Sequence, residues 1–331
     1  MTKKKENSFF GEIRENMELK ILGIPYIVQR TFLDSHNSYV LQAKHPDGTS
    51  EVLKIYFEKR KLTKRQATIF VGHVLTYCDK LRDLKVCLPP DKGIVLLPIN
   101  GRLAVIHISP FMGESLERNI RFAKSEEDII RNMDITFTCL GNLMKNGRSD
   151  RMSVGIDLIP RNFVSHDGEK AIYVDLVPPK IKVGSKYLLE IPEPKDPLTH
   201  KIGIFRHYSK LGVMIVFLVQ LCRLKPQYYE VYEDEIIKYL EKMKLSKTAD
   251  KFRKRLVKTS ITGTTADVPV IKNLEFADIY DLREIACYYC YKDLMTREEL
   301  RYFFSDSHFQ DKPLTKKVVN ELKNRLIKAV S

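Results

Sequence analysis

The sequence predicts an α+β fold in which a small antiparallel sheet precedes a larger, mainly helical region. Strand-like runs flank the dipeptides Asp47-Gly48 and Asn100-Gly101 in the first third of the chain, and such dipeptides between β-prone segments are strong hairpin signals. Beyond about residue 110, apolar residues recur at helical spacing in several segments. The chain has 331 residues, which is enough for one large two-lobed domain or for two domains.

The sheet region should contain five strands and one helix. The expected strands cover residues 26–30, 39–44, 51–56, 93–98 and 103–108. Between the third and fourth strands, residues 64–84 carry an apolar stripe at helical spacing, formed by Ala67, Val71, Val74, Cys78 and Leu81. Thr63 precedes this helix, and Gln66 lies in its first turn. Their spacing is that of a capping box, in which each side chain forms a hydrogen bond with the other residue's backbone.

The rest of the chain should be mainly helical. Residues 125–144 form a predicted helix that begins at a Ser125 cap, with Asp128 three residues later. Residues 211–222 are the most apolar run, at about two-thirds of the length of a membrane span, and therefore predict a buried helix. Residues 177–179 and 191–197 are rich in Pro and predict irregular loops. Further helices are expected at 235–243, 247–257, 297–304 and 315–330.

A site for ATP and Mg²⁺ is indicated by Asp157, Asn162 and Asp175. Phosphoryl transfer needs a carboxylate beside the attacking hydroxyl and oxygen ligands that hold Mg²⁺ against the phosphates. Asp157 would orient the hydroxyl, while Asn162 and Asp175 would supply metal ligands. The polar, Gly-containing segment 165–170 separates two short strand-like runs, so a hairpin should bring Asn162 and Asp175 close together.

This segment resembles the protein-kinase-like fold, in particular its aminoglycoside-phosphotransferase and choline-kinase-like branch. In that family the catalytic loop reads Asp-x4-Asn, and a metal-binding Asp follows about thirteen positions later; Asp157, Asn162 and Asp175 match. The resemblance covers roughly residues 26–222 and implies two lobes, residues 1–108 and 109–331. It departs at Gly155-Ile156, where protein kinases have His-Arg, and at Leu176-Val177, where they have Phe-Gly.

Lys54, in the strand at 51–56, matches the Val-Ala-Ile-Lys strand of kinases. The resemblance implies that Lys54 contacts the α- and β-phosphates, whereas an exposed strand lysine is the alternative. Gln66 occupies the position of the Glu that holds this lysine in protein kinases, and the capping box is the favoured role for Gln66. Arg206-His207-Tyr208 should tie the catalytic loop down by hydrogen bonds, with a structural role for His207.

The predicted nucleotide-covering loop, residues 31–38, contains no Gly. Glycine lets backbone N–H groups approach phosphate closely. Ser35, Asn37 and Ser38 could donate hydrogen bonds instead, although a solvated loop is the default interpretation.

Three function classes follow. The first is an ATP- and Mg²⁺-dependent phosphotransferase that acts on a hydroxyl of a small polar molecule, including anionic molecules. The second, its alternative, is a pseudokinase or nucleotide-binding regulatory module without turnover. No Ala-Pro-Glu ending is visible after Asp175, which favours small-molecule over protein acceptors. Transfer of a nucleotidyl group instead of a phosphoryl group is an alternative reaction for the same fold. The third class is a basic adaptor for nucleic acid or an anionic surface.

The adaptor class rests on charge alone. The net charge is +14, and basic residues gather in region 242–258, where a solvated face is the favoured interpretation over a binding patch for nucleic acid or an anionic surface. The polar N-terminal segment predicts neither a signal peptide nor a membrane span and hence a cytoplasmic protein. The six cysteines are scattered, and Cys287 and Cys290 are expected to be core thiols.

Overall fold

The computed structural model describes residues 13–32, 38–56, 62–90, 92–99, 102–146, 149–189 and 197–257. The chain divides into two compact units, Met1–Cys78 with Leu88–Gly113, and Asp79–Cys87 with Glu114–Ser331. The predicted α+β class is confirmed: the first unit contains an antiparallel sheet, and the second contains most of the helices.

The sheet of the first unit has six antiparallel strands in the order β1-β2-β3-β4-β6-β5. They are β1 Glu18–Ile21, β2 Ile24–Phe32, β3 Ser38–Lys44, β4 Ser50–Tyr56, β5 Gly93–Ile99 and β6 Arg102–Pro110. Five were predicted, and β1 was missed. β1 is only four residues long and turns into β2 through Leu22 and Gly23, both at positive φ. Leucine is not a typical residue for such a turn, so the sequence carries a weak hairpin signal there.

One face of the sheet forms the core of the first unit. Its buried members alternate along the strands, as period-2 side-chain geometry requires, and are Leu19, Ile21, Tyr26, Val28, Leu41, Ala43, Leu53, Ile55, Ala104, Ile106 and Ile108. Each fully buried aliphatic side chain contributes about 1.5–3 kcal/mol. Lys54 is half-buried between Leu53 and Ile55, so its side chain leaves the opposite face of β4.

Helix α1, Lys64–Asp83, begins with the predicted capping box. The Gln66 backbone N–H donates to Thr63 Oγ1 at 3.2 Å, and the Thr63 backbone N–H donates to Gln66 Oε1 at 3.0 Å. Its buried stripe comprises Ala67, Phe70, Val74, Tyr77, Cys78 and Leu81. The role predicted for Gln66 is therefore confirmed.

Six helices occupy the described part of the second unit: α2 Leu116–Phe122, α3 Glu126–Cys139, α4 Pro197–Tyr208, α5 Lys210–Leu224, α6 Tyr229–Lys242 and α7 Ser246–Val257. Helix α5 is the predicted buried helix; most of its side chains are buried. Across the described residues, no helix is both long enough and apolar enough to cross a bilayer. The helices predicted at 297–304 and 315–330 lie outside the described residues.

The bounds of two predicted helices need correction, and α2 and α4 were not predicted. Helix α6 begins at Tyr229 rather than at residue 235. Helix α3 begins at the predicted Ser125 cap but ends at Cys139 rather than 144, because Gly141 adopts a positive φ of 53° and turns the chain. Helix α4 was not predicted, since Pro197 was assigned to a loop. Proline is compatible with the first helical position, where its missing N–H costs no hydrogen bond, and Pro197 is the first residue of α4.

The predicted hairpin before Asp175 is present. Strands β8 Phe163–Ser165 and β9 Ile172–Tyr173 are antiparallel, with Phe163 opposite Tyr173, and β8 also pairs with β7 Glu114–Ser115. Asp167 stabilises the turn because its carboxylate accepts hydrogen bonds from the backbone N–H groups of Glu169 and Lys170. A second small hairpin joins β10 Lys182–Val183 to β11 Lys186–Tyr187.

Candidate functional site

The loop that carries Asp157 is held by backbone hydrogen bonds to α4. The Ile156 N–H donates to the His207 carbonyl at 3.0 Å, and His207 Nδ1 lies 3.3 Å from the Ile156 carbonyl oxygen. The prediction that residues 206–208 tie this loop is therefore confirmed. A Cβ on Gly155 would lie 2.7 Å from the His207 carbonyl oxygen, so this close approach favours glycine at position 155.

Both oxygens of the Asp157 carboxylate contact donors of the chain itself. Oδ1 accepts from Arg206 Nε at 3.2 Å and Nη2 at 3.1 Å, and Oδ2 accepts from Asn162 Nδ2 at 3.2 Å. The Asn162 amide also donates to the Asp157 carbonyl at 3.0 Å. The Asp157 side chain is only 13% exposed, so these contacts are poorly screened by water.

The electrostatics of this cluster keep Asp157 ionised and His207 neutral. Burial alone would raise the pKa of Asp157, but the Arg206 guanidinium and the other nearby basic groups outweigh burial and hold that pKa well below its usual range. Burial lowers the pKa of His207 to about 3, although the Asp157 charge opposes this shift. At neutral pH, the ionic contact within the cluster is therefore that between Arg206 and Asp157.

Asp175 lies two residues after the end of β9. Its neighbour Val174 donates its backbone N–H to the Asn162 carbonyl at 2.9 Å, which brings this segment alongside Asn162. Its Oδ2 is 2.9 Å from Lys180 Nζ, and both side chains are nearly buried. Lys180 Nζ also donates to the Pro178 carbonyl at 3.3 Å. Asp175 is therefore part of a buried ion pair.

Lys54 lies in β4 of the first unit, opposite Val40 of β3 and His107 of β6. Its ammonium nitrogen is 5.2 Å from the centroid of the Tyr56 ring, within cation–π range. The predicted phosphate contacts Ser35 and Asn37 lie outside the described residues, and Ser38 begins β3.

The structure thus brings Asp157, Asn162 and Asp175 together in the second unit and adds two basic residues that the sequence did not single out as site residues. Arg206 stands 49 positions from Asp157, and only the expected tie between 206–208 and the loop pointed to it. Lys180 stands five positions after Asp175, but no pattern marked it. Within the described residues, no group of three or more His, Cys, Asp or Glu side chains could hold a metal ion.

The basic region 242–258 is partly neutralised where the structure describes it. Arg253 contacts the Glu241 carboxylate and lies 3.5 Å from Asp250, and Lys251 contacts Asp150. Surface pairs of this kind reduce the local positive potential that would attract phosphates.

Comparison with known proteins gives little further assignment. No protein-family model matches the sequence, and no curated protein matches it. Among the solved structures that match is one described as the crystal structure of BubR1 kinase domain, at 13% sequence identity; the match covers 72% of this chain and 87% of that chain. Its TM-score is 0.38, which is too low to support an assignment.

Proposed function

We propose that this chain is a kinase-like nucleotide-binding module that does not transfer phosphate. The observation that carries the proposal is that Arg206 and Lys180 neutralise the two acids which the kinase resemblance makes functional, Asp157 and Asp175. The match of Lys54 and of the Asp157 loop to kinase motifs supports the nucleotide-binding part.

The groups around Asp175 do not fit Mg²⁺ in this arrangement. The Lys180 ammonium already lies 2.9 Å from Asp175 Oδ2, and a divalent ion on the same carboxylate would stand only a few ångströms from it. A divalent cation and an ammonium group roughly 4 Å apart repel each other by on the order of 8 kcal/mol at an effective dielectric constant of about 20. Mg²⁺ would therefore have to displace Lys180.

Asp157 is also poorly placed to accept a proton. A general base works best when its pKa lies near the operating pH and an oxygen can reach the acceptor. The pKa of Asp157 is held well below its usual range, and both of its oxygens accept hydrogen bonds, from Arg206 and from Asn162. These contacts give Asp157 a structural role, since they hold the loop to Arg206 and to Asn162.

The second candidate is an ATP- and Mg²⁺-dependent phosphotransferase for a hydroxyl of a small polar acceptor. The contact between Asn162 and Asp157 and the hairpin that places Asp175 beside Asn162 favour it, since the kinase resemblance implies this arrangement. This function requires Lys180 to release Asp175 when nucleotide and metal bind.

One experiment separates the two candidates. Thermal unfolding of the full chain is measured with ATP in EDTA and with ATP plus Mg²⁺, and ATP consumption is followed with a panel of hydroxylated metabolites. The module should be stabilised by ATP equally under both conditions, because ligand binding to the native state raises stability by mass action. It should consume no ATP.

The matched variants are Asp175→Asn and Asp167→Asn, the latter in the exposed turn of the same hairpin. The phosphotransferase would be the correct function if ATP consumption requires Mg²⁺, is lost in Asp175→Asn and persists in Asp167→Asn. That result would reject the module without turnover. A melting temperature that ATP leaves unchanged under every condition would reject both.

A further inference from the structure

Cys87 and Cys139 lie in contact within the second unit. The Cys87 N–H donates to the Cys139 carbonyl at 2.9 Å, and Cys139 Sγ lies 3.5 Å from the Cys87 carbonyl oxygen. The Asn142 N–H donates to the Leu84 carbonyl at 2.7 Å, so the two segments are joined at a second point. Opposed residues that exchange backbone hydrogen bonds in antiparallel strands have Cα atoms about 5.5 Å apart, so a backbone hydrogen bond between Cys87 and Cys139 is compatible with the roughly 4.4–6.8 Å Cα span of a disulfide.

The two thiols have different surroundings. Cys139, the last residue of α3, is 1% exposed, whereas Cys87 is only partly buried. A hydrogen bond from the Cys139 thiol lowers the pKa of Cys87 below its usual range, and the Lys170 charge adds to this effect, while burial opposes it. The hydrogen bond with Cys87 and burial raise the pKa of Cys139. Cys87 is thus the thiolate-forming, accessible member of the pair.

We propose that Cys87 and Cys139 form a reversible disulfide when the protein meets a hydroperoxide. The Cys87 sulfur attacks a peroxide oxygen and the O–O bond breaks. With hydrogen peroxide, the products are a sulfenic acid on Cys87 and one molecule of water. The Cys139 sulfur then attacks the Cys87 sulfur, the S–O bond breaks, and a second water carries away the Cys139 proton. Two thiols are oxidised and the peroxide is reduced; a thiol reductant reverses the reaction.

The disulfide would act next to the candidate site. The Cys87 carbonyl accepts a hydrogen bond from the Tyr173 N–H at 2.9 Å, and Tyr173 ends β9, two residues before Asp175. A bond across 52 positions restricts the unfolded chain, so oxidation should raise the melting temperature by roughly 5–10 °C. This inference does not depend on the proposed nucleotide binding.

The test is peroxide treatment of the full chain, followed by blocking of free thiols and peptide mapping by mass spectrometry. The expected product is one cross-linked peptide pair containing Cys87 and Cys139, lighter by two hydrogens and reversed by a reductant. The Cys78→Ala variant provides the matched control, because Cys78 is a buried cysteine in helix α1, and it should form the same product. A background with Cys287→Ser and Cys290→Ser removes a competing pair.

Trapping of the intermediate provides a second readout. In Cys139→Ser, a sulfenic-acid probe should label Cys87 after peroxide treatment, and Cys87→Ser should lose that label. If the wild-type chain keeps both thiols free, or if Cys87 is oxidised no faster than Cys78, the proposal is wrong.

Discussion

Lys180 and Asp175 form a nearly buried ion pair, with 2.9 Å between Nζ and Oδ2 and side-chain exposures of 4% and 12%. Charges taken out of water lose their hydration and depend on their partner for compensation. The pair therefore fixes the segment that follows β9, and it holds a positive charge against Asp175, the predicted metal ligand. The same contact thus governs both stability and the proposed loss of phosphoryl transfer.

Replacement of Lys180 by Met should lower the free energy of unfolding by about 3–5 kcal/mol, because it leaves the Asp175 carboxylate buried without this cation. Urea unfolding measures the loss. The double variant with Asp175→Asn should recover part of it, since the buried carboxylate charge is then removed. Lys145→Met, at an exposed position after α3, should change the free energy by about 0.5 kcal/mol or less. An equal effect of both single variants would contradict the assignment.

Arg206→Lys should destabilise the protein although it keeps the charge. Arg206 contacts Asp157 Oδ1 through two nitrogens, a contact that a lysine ammonium cannot reproduce. The expected loss is about 1.5–3 kcal/mol, the range for hydrogen bonds to charged groups. Arg131→Lys is the matched control, because Arg131 forms an exposed pair with Asp128 at 2.9 Å and such pairs contribute about 0.2–1 kcal/mol. Chemical denaturation should rank the two losses in that order.

The lowered pKa of His207 should make the free energy of unfolding decrease in acid. This pKa is lowered to about 3 in the folded protein and is about 6.5 when unfolded. As the pH falls below about 6.5, the unfolded state binds a proton that the folded state does not, so stability decreases until the pH nears the folded pKa. The loss between about pH 7 and about pH 5 should be about 2 kcal/mol.

The matched variants for this prediction are His207→Asn and His166→Asn. Asparagine at 207 still offers a donor to the Ile156 carbonyl, which His207 Nδ1 approaches at 3.3 Å, but does not titrate. Unfolding curves at several pH values should therefore show a shallower acid loss for His207→Asn. His166 is exposed in the hairpin turn, so His166→Asn controls for the loss of a histidine elsewhere, and an equally shallow slope in that variant would show that the effect is not specific to position 207. An unchanged slope in His207→Asn would mean that other groups cause the acid loss.

Most of the features predicted correctly from the sequence depend on neighbouring residues; the tie of residues 206–208 to the Asp157 loop is a long-range exception. The Thr63 and Gln66 cap, the Ser125 cap and the hairpin before Asp175 each use hydrogen bonds within a few positions, so their residue types and spacing carry the information. Strand β1 was missed because its turn uses Leu22, and α4 was missed because Pro197 suits a helix start as well as a loop.

The groups that decide the chemistry of the candidate site were harder to predict. Arg206 reaches Asp157 only because α4 packs against the loop, and this contact spans 49 positions. Lys180 is close to Asp175 in sequence, but the chain must fold back after Pro178 for the ammonium to meet the carboxylate. Sequence spacing therefore identified the acids, and the expected tie of residues 206–208 pointed to Arg206, but nothing in the sequence identified Lys180. The predicted roles of Lys54, Asn162 and Asp175 stay predictions.

Gly141→Ala should be among the most destabilising small substitutions in the second unit. Gly141 has a φ of 53°, and a Cβ there would lie 2.3 Å from the Lys85 carbonyl oxygen, which is backbone and cannot rotate away. Gly168 is the matched control, because its φ is 75° but nothing lies within 4 Å of the position that a Cβ would take. A positive φ alone costs about 1–2 kcal/mol, so Gly168→Ala should lose about that amount in urea unfolding. Gly141→Ala adds a steric clash and should lose more than about 3 kcal/mol; equal losses would show that residues 84–87 approach residues 139–142 less closely than these distances require.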